Sequence, residues 1–419
     1  MNDEAGPSRM PEIRVPGLLT LAGLVCGLLL GLLLHGTTAL PPLLALAEPA
    51  GGLWLQALKM TILPLVAGLL FTGIVETVAA ARAGAMARRT LGFIVALLAA
   101  SAVLGAVGMP LLLDLSPAPA GIALRGPGDP GSVPGIGDFV RSLLPGNVVT
   151  AAAGDAMLPV IVFVALFALA STRLAEAPRR QLALLFAAMA GAMMVVIGWV
   201  LALAPIGVFA LGLSLAAQSG AAAIGALAHY ITLVSTLGAV MLLAAYPLAR
   251  LVARLPLGTF ARAAMPVQVV AISTQSSLAS LPAMLAASRK LGLATTTAEF
   301  VLPLAVTLFR VTSPAMNVGA VIYAASLAGV DLPPSAIAAG ALVAFVTTVG
   351  SVSLPGTVSF IASTAPIAAA MGVPLWPLGV LVAVEMLPDI MRTVGNVTMD
   401  VAVAGAVDAG KGIHGPEDD

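Results

Sequence analysis

Glu385-Met386-Leu387-Pro388-Asp389-Ile390-Met391-Arg392-Thr393-Val394-Gly395-Asn396-Val397-Thr398-Met399-Asp400 follows the apolar run Val380-Leu381-Val382-Ala383-Val384. Its flanks read as a membrane helix, yet Glu385, Asp389, Arg392, Asn396 and Asp400 fall at offsets 0, 4, 7, 11 and 15. At about 100° per residue they share an arc of roughly 80° on one helical face. A charged side chain costs about 2.5–3.5 kcal/mol at the centre of a bilayer even on the lenient insertion scale. Four of them on one stripe require a pocket lined by protein or water, and such rows mark solute pathways.

The rest of the chain agrees with a membrane setting. Of 419 residues, 60% are hydrophobic and only 9% charged, against about 25% charged in ordinary soluble domains. Mean hydropathy is +1.07. A formal net charge of zero removes any case for nucleic-acid binding. One cysteine, Cys26, lies in an apolar run and cannot form an internal disulfide. The histidines His35, His229 and His414 are scattered without metal-ligand spacing. Abundant Ala, Gly, Val and Leu suit close helix packing in lipid. The first apolar run begins near Pro16 and lacks a small-residue cleavage site, so it reads as a retained span rather than a signal peptide.

Spans are expected at about 16–35, 52–78, 90–113, 139–171, 181–213 and 222–249, with loops at 36–50 and, rich in Pro and Gly, at 115–137. Arg82, Arg88 and Arg89, then Arg173, Arg179 and Arg180, then Arg250, Arg254 and Arg262 alternate with loops free of Lys and Arg. The positive-inside rule places these clusters and the N-terminus on the cytoplasmic side.

The second half breaks that alternation. Two short apolar pieces flank Gln275-Ser276-Ser277-Leu278-Ala279-Ser280-Leu281-Pro282, with Arg262 on one side and Arg289-Lys290 on the other. Each piece is far shorter than the ~20 residues of a full span, so the segment reads as a re-entrant hairpin from the cytoplasm. A span at 299–325 crosses outward. An interrupted segment at 335–370, centred on Gly350-Ser351-Val352-Ser353-Leu354-Pro355-Gly356, enters from the opposite face, and the charged helix at 379–403 returns to the cytoplasm. Paired broken hairpins from opposite faces are the pattern of inverted repeats in secondary transporters. Unwound backbone at that depth survives only under protein or beside a water-filled cavity.

Asp389-x-x-Arg392-Thr393-x-x-Asn396-x-x-x-Asp400 resembles the last helix of the glutamate transporter, or dicarboxylate/amino acid:cation symporter, family position for position. Ala204-Pro205-Ile206-Gly207-Val208-Phe209-Ala210 is similar to its fifth helix, Lys59-Met60 with Pro64-Leu65-Val66 to its second, and Phe300-Val301-Leu302-Pro303-Leu304 to the start of its seventh. The likeness covers about residues 14–403. It implies an all-α membrane protein of eight spans and two re-entrant hairpins, assembled as a homotrimer. The trimer-holding scaffold would lie within about 16–79 and 139–221, and a moving transport core at about 90–113 and 222–403. Residues 1–15 would be an N-terminal cytoplasmic segment and 404–419 a polar tail.

The resemblance also implies roles. Arg392 is suited to a bidentate grip on a side-chain carboxylate. Asp389 would take a substrate ammonium, Thr393 and Asn396 the main-chain end, and Ser276 and Ser277 the α-carboxylate, with Ser313 lining the site. The second tip, Ser351, Pro355 and Gly356, would gate it. Asp389 favours an acidic amino acid over a plain dicarboxylate.

The seventh helix departs from the family. Its sodium-coupled members carry Asn-Met-Asp-Gly-Thr where this chain has Phe309-Arg310-Val311-Thr312-Ser313, and a hydroxyl pair of the third helix becomes Ala99 and Ala100. Several sodium ligands are thereby lost. Arg310 is expected to sit in the vacated cation space and pair with Asp400 or Glu385, standing in for a bound ion. A site of backbone carbonyls near Thr307, Thr348, Val349 and Ser351 could persist, with Asn396 beside it. Coupling is then to sodium, to protons through Glu385 or Asp400, or to nothing.

Other classes fit less well. An enzyme would need a nucleophile and a base at membrane depth, and no His lies near Ser276, Ser277 or Ser313. A channel would show rings of like charge or a repeated carbonyl filter. A non-transporting sensor is a further alternative. The reading is a secondary active transporter of aspartate or glutamate, working by an elevator motion in a plasma membrane, the prokaryotic inner membrane, with both termini cytoplasmic. Its partners are a small anionic substrate and the lipid bilayer, and no cofactor is expected beyond Na+ or H+. The alternatives are a C4-dicarboxylate transporter and a cation-independent exchanger or facilitator.

Overall fold

The computed structural model describes residues 17–34, 37–81, 84–119, 144, 146–154, 156–219, 222–349 and 356–409. Among these the fold is entirely helical. The helices are α1 (Gly17–Leu33), α2 (Leu40–Ala81), α3 (Ala85–Leu115), α4 (Val148–Ala153), α5 (Met157–Ser171), α6 (Glu176–Ala202), α7 (Ala204–Ser219) and α8 (Ala222–Leu251). They continue with α9 (Leu257–Thr274), α10 (Leu281–Lys290), α11 (Thr295–Leu308), α12 (Thr312–Ala328), α13 (Pro334–Val349), α14 (Gly356–Met371), α15 (Trp376–Leu381) and α16 (Met386–Asp408). Leu40–Ala79, Ala85–Leu115, Glu176–Ala202, Ala222–Leu251 and the stretch Thr295–Ala328 are long and apolar enough to cross a membrane. The 27 residues of α6 rise about 40 Å, more than a hydrocarbon core requires.

The helices pack in two groups. α1 lies along α7, and α2 packs on α5, α6 and α7. The second group centres on α12, almost every residue of which is buried among α3, α8, α13 and α14. There α16 packs against α8, α9 and α11. Contacts between the groups run mainly from α2 and α5 to α13 and α14, from α2 to α3, and from α7 to α8 and α15. The α1–α7 seam is set by small residues. A Cβ on Gly23 would lie 2.4 Å from Pro205 O, on Gly27 2.3 Å from Phe209 O, and on Gly31 2.7 Å from Leu213 O. Only glycine lets the two backbones come this close.

Several boundaries differ from the sequence reading. The expected loop at 36–50 is helical from Leu40, because its Leu and Ala are good helix formers and Pro41 and Pro42 fall in the first turn, where no N–H partner is lost. The 139–171 run is broken near Gly154, and the 181–213 run turns at Leu203 into two helices. The 299–325 span is also two helices, because Phe309 is extended (φ −112°, ψ 100°). The charged helix is preceded by α15 and a turn, so Glu385 is the residue that opens α16. The first hairpin is as expected, with α9 and α10 joined by a tip in which Gln275 takes a left-handed conformation (φ 49°). The second hairpin's arms are α13 and α14. Its tip, with Ser351 and Pro355, lies outside the described residues, as does most of the 115–137 loop and both chain ends.

Candidate functional site

The broken span builds the site. Where α12 begins, its first N–H groups have no partners within the helix. Asn396 Oδ1, from α16, accepts from Thr312 N at 3.0 Å and lies 2.9 Å from Thr312 Oγ1. Ser101 Oγ, from α3, accepts from Ala315 N at 3.1 Å. Pro314, in the same turn, has no N–H to satisfy. Gly395 permits the approach of α16, since a Cβ there would sit 2.5 Å from Thr312 Cγ2. The helix start is thus held from outside, and the carbonyl side of Asn396 is spent on that task.

One turn away, the charged stripe closes on itself. Arg392 Nη1 donates to Asn317 Oδ1 at 2.7 Å, Nη2 donates to Glu385 Oε1, and Nε faces Asp389 Oδ1 at 3.2 Å. Glu385 Oε2 accepts from the Tyr230 hydroxyl at 2.7 Å. All five residues are at most 6% exposed. The Tyr230 ring packs at a tilt of 52° against Tyr323, with ring centroids 5.4 Å apart. The Tyr323 hydroxyl donates to Ala226 O and lies 3.2 Å from His229 Nδ1, and His229 Nε2 lies 3.0 Å from the hydroxyl of exposed Ser116. Two hydrogen-bonded groups, Glu385 with Tyr230 and Tyr323 with His229 and Ser116, thus meet at the contact between the two tyrosine rings.

Arg310 is buried between the groups, in a cavity lined by Val66, Leu69 and Leu70 of α2, Thr347 of α13, and Ala362 and Ser363 of α14. The expected pairing with Asp400 or Glu385 is not made. The carboxylate that acts on Arg310 is Asp389, and Arg392 is the neighbouring cation. The reason is geometric: the break at Phe309 turns Arg310 toward the head of α16, while Asp400 lies more than two turns further down it. Asp400 is fully buried, and among the described residues neither carboxyl oxygen has a hydrogen-bond partner.

The remaining candidates are placed as follows. Thr393 Oγ1 donates to Asp389 O, and Thr307 Oγ1 to Pro303 O, each within its own helix, with Thr307 exposed. Thr348 is buried near the end of α13 and donates to Ala344 O. Ser313 is buried, and its hydroxyl has no partner among the described residues. In the first tip, Ser276 Oγ accepts from Ala279 N, and among the described residues no hydrogen bond joins Ser276 or Ser277 to the charged stripe. The side chain of Val349 and the gate residues Ser351 and Pro355 lie outside the described residues, and Gly356 opens α14. Phe309 and Val311 are buried apolar side chains.

Sequence reasoning passed over Tyr230, Asn317 and Ser101. Each carried a signal: Asn317 is the one amide in a helix without charged residues, Ser101 follows the two alanines noted above, and Tyr230 is one of three tyrosines in the chain.

Residues 17–409 match the family model of the sodium:dicarboxylate symporter family. The chain belongs to this family. It is similar to the proton/sodium-glutamate symport protein of Bacillus subtilis, 26% identical over 94% of this chain and 92% of the relative. It is also similar to the proton/glutamate-aspartate symporter of Escherichia coli, 28% identical over 90% and 88%, and to a proton/sodium-glutamate symport protein of Bacillus caldotenax, 26% identical over 90% and 89%. Family and fold together make this a multi-span membrane transporter of a small-molecule substrate.

Proposed function

We propose that the protein is a cation-coupled symporter of an acidic amino acid, aspartate or glutamate, with Arg392 and Asp389 as its charge-reading pair. The observation that carries this reading is a buried guanidinium with a second acid, Asp389, beside it at the head of α16. Arg392 suits a side-chain carboxylate and Asp389 an ammonium, the two features that separate an acidic amino acid from a dicarboxylate. The relatives named for glutamate and aspartate symport support it. Thr393, the amide of Asn396, Ser313 and the tip serines Ser276 and Ser277 complete the site, and the 350–356 tip gates it.

The sodium sites are partly lost, because Phe309 and Val311 offer no oxygen. Asp400, whose buried carboxyl lacks any donor among the described residues, is a candidate holder of a cation or proton. In this reading three copies assemble through the first group of helices in a prokaryotic inner membrane, with both termini in the cytoplasm. The group of α3 and α8–α16 moves across the membrane as a unit. The chain is a carrier, not an enzyme.

The test is binding of aspartate and succinate to the purified protein with sodium present and with choline in its place. Aspartate binding well above succinate supports the reading, and equal binding of both, or of neither, defeats it. Binding unchanged in choline assigns the coupling to protons or to none.

A further inference from the structure

Three of the five N–H groups of Arg392 are engaged, with Nε, Nη1 and Nη2 facing Asp389, Asn317 and Glu385 in turn. A planar fork grips a carboxylate through two adjacent N–H groups. The Nε–Nη2 edge of that fork is held by Asp389 and Glu385, so an acidic side chain seated there displaces one of these acids. Asn317 is neutral, and Asp389 is the acid that meets the substrate ammonium. Glu385 is the one left to yield.

We propose that Glu385 is the residue that carries the coupling proton: as a carboxylate it holds Arg392 in the empty protein, and it takes up one proton when the substrate's side-chain carboxylate replaces it. The proposal rests on the acidic-amino-acid reading and names the coupling site within it.

Charge balance favours such a step. In the empty site the two guanidiniums, Arg392 and Arg310, are matched by the two carboxylates, Glu385 and Asp389. An acidic amino acid adds one net negative charge to a region sealed from water, where an uncompensated charge is expensive. A proton from solution restores the balance, and a carboxylate just released from its cation is the group to accept it. Tyr230 suits both states. Its hydroxyl donates to the carboxylate at 2.7 Å, and a phenol also accepts, so it stays bonded to the protonated acid.

The titratable groups facing Glu385 are Tyr230 of α8 and Asp389 and Arg392 of α16. Arg310 acts through Asp389 and Arg392, and Tyr323 of α12 through Tyr230. Helices α7, α13, α14 and α15 bring none, Lys59 of α2 is exposed, and the charges of α3 sit at its two ends. Tyr323, in ring contact with Tyr230, is hydrogen-bonded through His229 to the exposed Ser116 hydroxyl.

The experiment is calorimetric titration of the detergent-solubilised full chain with aspartate, in buffers of different ionisation enthalpy and over a range of pH. The wild type is expected to take up one proton per aspartate, with affinity weakening about tenfold per pH unit as pH rises. Glu385→Gln, which keeps a neutral group on Tyr230 and releases Arg392, is expected to bind aspartate with no uptake and no pH slope. Aspartate binding by the wild type without proton uptake overturns the proposal alone, as does full uptake in Glu385→Gln. Binding of a neutral amino acid in preference to aspartate overturns both the proposal and the reading beneath it. Tyr230→Phe is a second probe that does not depend on the glutamine variant. It is expected to keep one proton per aspartate but to move the midpoint of uptake, and an unmoved midpoint counts against Glu385.

Discussion

Arg392 and Asp400 sit on one face of one helix, yet they make opposite demands. Arg392 is satisfied by three different side chains, whereas Asp400 has no donor among the described residues. Removing a partner from a buried ion pair costs about 3–5 kcal/mol, because the other charge is left alone in a low dielectric. Glu385→Ala is therefore expected to lower unfolding stability by about that amount in a denaturant titration in mild detergent. Asp400→Asn removes no described bond, and its expected cost in the same titration is below about 1 kcal/mol. A large loss from Asp400→Asn would mean that the carboxyl is held by a group not described here. Arg392→Lys separates charge from geometry. One ammonium cannot reproduce a planar fork, and loss of a charge-assisted bond of about 2–3 kcal/mol weakens aspartate binding roughly 100-fold. Equilibrium binding of labelled aspartate measures it, and near-wild-type affinity would show that the fork is not what the substrate uses.

At the scale of elements, the α1–α7 seam makes a sharp prediction. Gly27→Val would drive a branched side chain into the Phe209 carbonyl, where even a Cβ lies at 2.3 Å. Overpacking of this kind costs about 1–3 kcal/mol and is expected to lower the thermal midpoint of the solubilised protein. Gly52, with no atom near its Cβ position, is the control and tolerates Ala. The glycine spacing of α1 was plain in the sequence, but its partner was not, since α7 was read as the tail of the 181–213 run. The break at Leu203 was hidden for the same reason as the break at Phe309: hydropathy is blind to a helix that stops and restarts inside an apolar run. What stops α11 is tertiary. Asn396 and Ser101 take the N–H groups of Thr312 and Ala315, and neither contact has a local signature. The first hairpin was legible because basic residues at both ends and a Ser-Pro tip are local features. The stripe on α16 was legible because helical periodicity alone puts its charges together. Its closure on Tyr230 and Asn317 was not, because those partners lie 155 and 75 residues away.

The whole molecule has two helix groups that meet along a narrow seam, and the proposed motion makes that seam a sliding surface. Arg310 lies within it, in the cavity shared by Val66, Leu69 and Leu70 on one side and Thr347, Ala362 and Ser363 on the other. If the second group travels as a unit, Leu69 and Ala362 face each other in only one of its positions, and a covalent bridge between them halts the cycle there. The chain has a single cysteine, Cys26, so a Cys26→Ser background leaves no competing thiol. In that background Leu69→Cys with Ala362→Cys, joined by mercuric ion or a short bismaleimide, is expected to abolish uptake into proteoliposomes. Aspartate binding to the same cross-linked protein in detergent is expected to survive, because neither residue belongs to the stripe on α16. A bridge between Phe71 and Phe186, whose rings stack at 4.0 Å within the first group, should leave uptake intact after the same treatment. The two bridges differ only in whether they span the seam, so loss of uptake in the first alone identifies relative movement of the groups, and uptake that survives it rules that movement out.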